Sequence, residues 1–244
     1  MRTKLIYLLL AVFAILSSCE LIVDLTTDDS EIQLEYKINH AIERLELRAD
    51  MDLELIDSDD SVLIIQGPKA LLDELEIVDT SGVMTLKYDT RGDWRYKKTR
   101  IKYYMPDLRS IASYADNEIT CRDTLHYNSL NIFSDGTSDI YLSVNNNSLY
   151  VFANNISNFY IEGKTKKLRV LSTFGSSFRG AGLKAEQVTV TSLGSNFQVV
   201  YPLEKLTCTI GLDGDVYYVN KPNEITVNTE EGASGKVIFD ASKR

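Results

Sequence analysis

From Leu130 onward, hydrophobic positions recur with a fixed period of 19. Ile140, Phe159, Phe178, Phe197 and Val216 follow one another in steps of 19, 19, 19 and 19. A second apolar column runs Ile111, Leu130, Leu149, Leu168, Val188, Leu206 and Ile225, in steps of 19, 19, 19, 20, 18 and 19. A polar column, Asp139, Asn158, Ser177, Asn196 and Asp215, precedes the first. A short fixed period marks a stacked architecture whose units bury their apolar faces against their neighbours. A unit this short has no room for a strand, a crossover helix and loops, so several short strands per coil are expected. The pattern predicts an all-β fold, a right-handed parallel β-solenoid (β-helix) with a 19-residue rung in the C-terminal half. The hand follows from strand twist, which favours right-handed parallel crossovers. A sandwich of antiparallel hairpins is the alternative, and it would not need the register.

The N-terminal half is less regular. Period-two alternation marks strands at Leu45-Glu46-Leu47, Met51 to Leu55, Val62 to Ile65, Glu76 to Val78, Val83 to Tyr88 and Ile101 to Met105. Asp57-Ser58-Asp59-Asp60 and Thr80-Ser81-Gly82 are turn chemistry between them. One short helix is expected from Pro68 to Leu75. Proline suits a first helical position, and Leu71, Leu72 and Leu75 make an apolar face. In the periodic half, Ser, Asn, Asp and Gly fill the turn tracts, including Ser134 to Ser138, Ala153 to Ser157, Gly175-Ser176 and Asp213-Gly214. Such residues in register at one corner can bond copy to copy as a ladder.

The first residues give an address. Arg2 and Lys4, an apolar run from Leu5 to Leu16 and Ser17-Ser18-Cys19 have the layout of a secretory signal, and the run is too short to span a bilayer. Leu16-Ser17-Ser18-Cys19 resembles the bacterial lipobox. That resemblance implies cleavage before Cys19 and lipidation of this cysteine, with two or more acyl chains anchoring the protein stably. The expected divisions are a signal peptide at 1–18, a polar tether at 19–31, a strand-rich part at 32–107 and the regular repeats at 108–240, the last two forming one domain. Losing Arg2 and Lys4 moves the formal charge from −9 to −11. An acidic chain is a poor partner for nucleic acid and for anionic membrane surfaces, and for strongly acidic polysaccharides unless a local basic patch exists. Cys121 and Cys208 remain, and stacking places them about four rungs, roughly 19 Å, apart, so no disulfide is expected. Both are expected as small buried apolar residues.

The order of these features resembles a known family. A lipoprotein signal is followed by a strand-rich half with a short Pro-started helix, then by Met105-Pro106-Asp107-Leu108-Arg109-Ser110-Ile111 leading into the repeats. Ser134-Asp135-Gly136-Thr137-Ser138-Asp139-Ile140 and Gly211-Leu212-Asp213-Gly214-Asp215-Val216-Tyr217-Tyr218 are copies with degenerate Gly-Ser-Gly-Asp turns, and Gly232-Ala233-Ser234-Gly235-Lys236-Val237 closes them. Over about residues 38 to 240 the chain is similar to the putative autotransporter-adhesin, head-GIN family of envelope proteins. The Gly-Ile-Asn tripeptide itself is absent, Lys37-Ile38-Asn39 being nearest. The resemblance implies a β-helical fold, an envelope location and an adhesin-like role, and brings no catalytic residues.

Little in the chain points to chemistry. His40 and His126 stand alone, without metal-ligand spacing or a serine partner, and no Gly-rich phosphate loop is present. Asp57, Asp59 and Asp60 lack the glycine and distal Glu of a calcium loop. Arg91-Gly92-Asp93 matches an integrin-recognition tripeptide, but Gly-Asp between strands is ordinary hairpin chemistry. No cofactor or metal is expected. If the 19-residue column faces inward, the residues after it face out: Tyr141, Tyr160, Arg179, Gln198 and Tyr217. This outward stripe suits sugar rings or an extended peptide. The leading expectation is a non-enzymatic, lipid-anchored envelope protein, most simply of the outer membrane, that binds a glycan or an envelope or host protein. A structural or regulatory envelope protein, and a carbohydrate-active enzyme using Asp139 and Asp215, are the alternatives.

Overall fold

Alternating apolar residues produce strands almost throughout, and the computed structural model describes them over residues 30–88 and 98–243. The signal segment, Cys19 and Arg91-Gly92-Asp93 lie outside the described residues. The first half contains β1 (Glu31–Lys37), β2 (Arg44–Leu47), β3 (Met51–Asp57), β4 (Val62–Pro68), helix α1 (Lys69–Asp73), β5 (Glu76–Thr80), β6 (Val83–Lys87) and β7 (Thr99–Met105). The second half contains β8 (Ser110–Ser113), β9 (Glu118–Cys121), β10 (Ser129–Gly136), β11 (Asp139–Asn155), β12 (Asn158–Phe174), β13 (Ser177–Gly194), β14 (Gln198–Ile210), β15 (Val216–Tyr218), β16 (Glu224–Thr229) and β17 (Val237–Phe239). Every strand expected in the first half is present. Pro68 is the N-cap of α1 rather than its first residue, and Leu71 and Leu72 are buried.

The second half is a parallel β-solenoid of about 7 turns between residues 110 and 239, with about 19 residues per rung. β11 to β14 each run through two arms, so the coil has two ladders. One ladder runs β5, β6, β2, β8, β10, the second arms of β11 to β14, and β16. The other runs β1, β4, β7, β3, β9, the first arms of β11 to β14, β15 and β17. Among the described residues, antiparallel pairs occur only at the N-terminal end, in β1–β4, β4–β7 and β5–β6. The parallel pairing excludes the sandwich. Stacking does not follow chain order there: the β2–β3 rung sits between β6–β7 and β8–β9.

The core is one apolar column per position, running from Ile38 to Val216 in a single cluster. Ile119, Ile140, Phe159 and Phe178 stack in register. The next member is Gln198, not Phe197, because Phe178 pairs with Gln198 and Gln198 with Val216. Gln198 is fully buried and Phe197 is half-buried on the outside. Ile111 stacks on Ile132 rather than beside Leu130. Ile225 keeps its register on Leu206 but is 42% exposed, since no further described rung covers it.

Polar side chains mark one corner. Asn154 Nδ2 donates to Asp135 Oδ1 at 2.7 Å, and Thr173 bonds Asn154 in turn. Asn158 Nδ2 donates to Asp139 Oδ1 at 2.9 Å and Ser177 Oγ to Asn158 Oδ1 at 2.7 Å. These are the ladders expected from the turn tracts. Inside the same corner, Gln198 satisfies its amide fully. Its Oε1 accepts from Phe178 N at 2.8 Å, and its Nε2 donates to Ser172 Oγ at 2.9 Å and to the carbonyls of Ser176 and Asn196 at 3.2 Å. A buried amide with all its bonds made costs little, which is how a polar residue holds a core position.

Cys208 is buried in the second arm of β14, and its thiol is pushed up to about 12 by burial. Cys121, on β9, is only half-buried, which corrects the expectation of a core residue. Its Sγ accepts from Ser143 N at 3.1 Å, and burial raises its pKa. The two thiols are free and lie on different ladders.

Candidate functional site: an aromatic stripe and its groove

Parallel register places residues with the same phase side by side on the outer surface, one rung apart. Tyr141 pairs with Tyr160, and Tyr160 with Arg179. The two tyrosine rings stack at 4.7 Å between centroids with planes 10° apart. The Arg179 guanidinium lies 5.1 Å from the Tyr160 ring and 5.3 Å from the Phe197 ring, a cation–π bridge between them. Phe197 meets Tyr217 edge-on at 6.1 Å and 83°. Lys243 Nζ covers this end, 4.6 Å from the Tyr217 ring and 5.1 Å from that of Phe197. Tyr217 donates its hydroxyl to Asp215 Oδ2 at 3.1 Å, and this bond, with the nearby carboxylate, raises its pKa.

Four of the five expected stripe residues, Tyr141, Tyr160, Arg179 and Tyr217, are thus brought together on the surface. Gln198 is not: it is the core amide described above, and Phe197 takes its place. In the strand register, the position between Arg179 and Tyr217 is Val199, which is buried beneath Phe197.

Beside the tyrosines lies a groove of about 640 Å³, lined by Arg122, Asp123, Tyr141, Tyr160, Glu162 and Arg179 among others. Glu54 Oε1 accepts from Arg122 Nε at 3.1 Å and holds that guanidinium at the rim. Asp123 and Glu162 are exposed. The groove therefore offers the edges and hydroxyls of two stacked rings, with carboxylate acceptors and guanidinium donors around them. The histidines are elsewhere: His40 Nε2 lies 2.9 Å from Asp79 Oδ1, and His126 Nδ1 lies 3.3 Å from Asp57 Oδ2. Among the described residues no three His, Cys, Asp or Glu side chains converge as metal ligands.

Residues 42–222 match the model of the family described as putative auto-transporter adhesin, head GIN domain. The chain belongs to this family. Solved structures share its fold. A putative adhesin from Bacteroides fragilis superposes with a TM-score of 0.81 at 17% identity, over 88% of this chain and 99% of that one. Putative adhesins from Parabacteroides distasonis and Parabacteroides merdae give TM-scores of 0.69 and 0.67 at 13% and 15% identity. They cover 88% and 86% of this chain and 98% and 96% of theirs. No curated protein matches the chain.

The surface also carries residues that the periodic reading missed. Phe133 and Phe152 stack on the other ladder at 4.8 Å and 14°, with Tyr114 tilted against Phe133 at 5.5 Å and Arg48 4.3 Å above Tyr114. Phe133, Phe152 and Leu171 keep the same spacing as the columns above, so the signal was the same period at another phase. Asp123 and Glu162 were missed for a different reason. They belong to different rungs and meet at the groove only through the coil.

Proposed function

We propose that the protein is a non-enzymatic, lipid-anchored module of the cell envelope that binds a glycan on the Tyr141–Tyr160 platform and its groove. The stacked pair is the observation that carries this reading. Two near-parallel rings stacked on each other, with Tyr141 41% exposed, present ring edges and hydroxyls, with part of the Tyr141 ring surface, against which a sugar ring can pack. Asp123, Glu162, Arg122 and Arg179 at the rim supply acceptors and donors for hydroxyl groups. The adhesin description of the family supports an envelope or surface location, and the lipobox at Leu16 to Cys19 supplies the anchor.

Catalysis is the poorer reading. Asp139 and Asp215 lie four rungs apart, roughly 19 Å, whereas a glycosidase holds its carboxyl pair within about 10 Å. Both already accept hydrogen bonds, from Asn158 and from Tyr217 and Lys236 N. Asp123 and Glu162 are exposed in an open groove, where water is not excluded from a reacting bond.

A glycan array probed with delipidated protein tests the proposal. The wild-type chain is expected to retain a glycan class that Tyr141→Ala/Tyr160→Ala retains at least fivefold less well, since losing one anchor ring costs about 1 kcal/mol or more. Equal retention by both chains, or capture of envelope proteins with no glycan bound, would reject it.

A further inference from the structure

The chain is strongly acidic, yet one corner is not. Lys164, Lys166, Lys167 and Arg169 follow one another on the outside of β12, and Lys184 lies directly beside Lys164 in the parallel register. All five are exposed, and among the described residues no carboxylate lies within 4.0 Å of any of them. Most other cations of the described chain are paired, including Arg44 and Arg48 with Glu46, Arg109 with Glu43, and Lys205 with Glu224. Placing Lys164 and Lys184 about 4.8 Å apart in backbone register sets like charges side by side, an arrangement that costs energy until an anion sits between them.

These cations line two neighbouring grooves. One, of about 600 Å³, holds Lys164, Lys166 and Lys184; the other, of about 370 Å³, holds Lys167 and Arg169. The larger groove also contains Asn128, Asn145, Asn146 and Asn147, with Asn147 Nδ2 donating to Asn128 Oδ1 at 2.6 Å. That bond leaves the second hydrogens and the other carbonyl of the pair available to a ligand. Among the described residues, Glu186 is the one carboxylate on this groove. Over the Debye length at physiological salt, about 8 Å, a ligand here feels the local cations and not the acidic remainder of the molecule.

We infer that this corner is a second binding surface, separate from the aromatic stripe, for an acidic polysaccharide such as a polyuronate. Sparse cations across adjacent rungs match one charge per sugar, and the carboxamides match hydroxyl groups. Nucleic acid fits less well. A duplex carries its charge far more densely, and a single strand needs aromatic rings for its bases, whereas Tyr150, the aromatic ring on the smaller groove, already has the Arg169 guanidinium 5.8 Å from its centre.

The test is a titration of the delipidated full chain with polygalacturonate at about 50 mM salt, with neutral dextran and charge-matched single-stranded DNA in parallel. Polygalacturonate is expected to bind, dextran not, and affinity to fall as salt rises. Lys164→Gln/Lys166→Gln/Lys184→Gln should weaken binding at least tenfold with an unchanged melting midpoint. Lys167→Gln/Arg169→Gln, which alters other residues of the same corner, should weaken it as well, so a folding defect in one variant does not decide the matter. Tyr141→Ala/Tyr160→Ala should leave it unchanged, which separates this surface from the stripe. Absence of polygalacturonate binding, tighter binding of DNA, or a loss confined to the tyrosine variant would each overturn the inference.

Discussion

Phe178 and Arg179 are adjacent in the chain and face opposite media. Phe178 is fully buried between Phe159 and Gln198, while Arg179 lies exposed across the rings of Tyr160 and Phe197. Phe178→Ala is expected to cost roughly 3–5 kcal/mol and Arg179→Ala less than about 1 kcal/mol, as read from chemical denaturation. Equal losses would mean that the in-and-out register is wrong. Most of that register was legible from the period alone, and Gln198 shows where the period stops sufficing. Counting 19 from Phe178 reaches Phe197, but the rung carries an extra residue near Gly180 to Gly182, where the β12–β13 register shifts. The same residue produced the step of 20 from Leu168 to Val188 in the other column. Carried forward, it moves the inward position to Gln198, an amide that Phe178 N, Ser172 and the carbonyls of Ser176 and Asn196 together make tolerable.

At the scale of the element, the coil depends on its corners. Gly163 adopts a φ of +106°, and a Cβ there would lie 2.1 Å from the Val144 carbonyl oxygen of the preceding rung. Gly163→Ala therefore has both a strained backbone and a clash. It is expected to lose at least about 1–3 kcal/mol. Gly175, whose added Cβ would find its nearest atom at 3.6 Å, is the control and should tolerate alanine. A common melting midpoint for the two variants would show that the corner is not tightly packed. Strands and helix of the first half could be read from alternation and a proline. Their order could not: Leu45 of β2 pairs with Ile111 of β8 on one side and Met84 of β6 on the other, and no repeat in that half announces either partner. The last rung has its own logic. Among the described residues β16 keeps Ile225 and Val227 in register without a cover, and Glu230 and Glu231 follow them, charges that discourage another strand from adding to the edge.

For the molecule as a whole, average composition hides what the fold separates. A net charge of −9 excluded polyanions only as long as the cations were spread evenly. Lys164 to Arg169 form a visible run in the sequence, but Lys184 joins it through the longer step between rungs, and the lack of ion pairs among these described residues is a property of the folded surface. The proposed lipid anchor belongs to this scale too. Cys19→Ala is expected to release the protein from the membrane fraction or leave it unprocessed, and normal processing with full membrane retention would remove the anchor from the proposal.

Phe197 and Gln198 are neighbours of which one faces outward on the aromatic stripe and the other inward. Phe197 and Gln198 exchange roles between a bare count along the chain and the folded structure, so Phe197→Ala and Gln198→Ala compared side by side, each by melting midpoint and by affinity for the glycan retained on the array, separate the two. Phe197→Ala, which removes the far support of the Arg179 guanidinium at the groove rim, is expected to keep the midpoint within a few degrees and to lower affinity, though by less than the loss of Tyr141 or Tyr160. Gln198→Ala, which strands the buried Phe178 N–H, should lose about 1–3 kcal/mol of stability and keep its affinity while folded. The opposite pairing, with Phe197→Ala unfolding the chain and Gln198→Ala abolishing binding, would contradict both the register and the site.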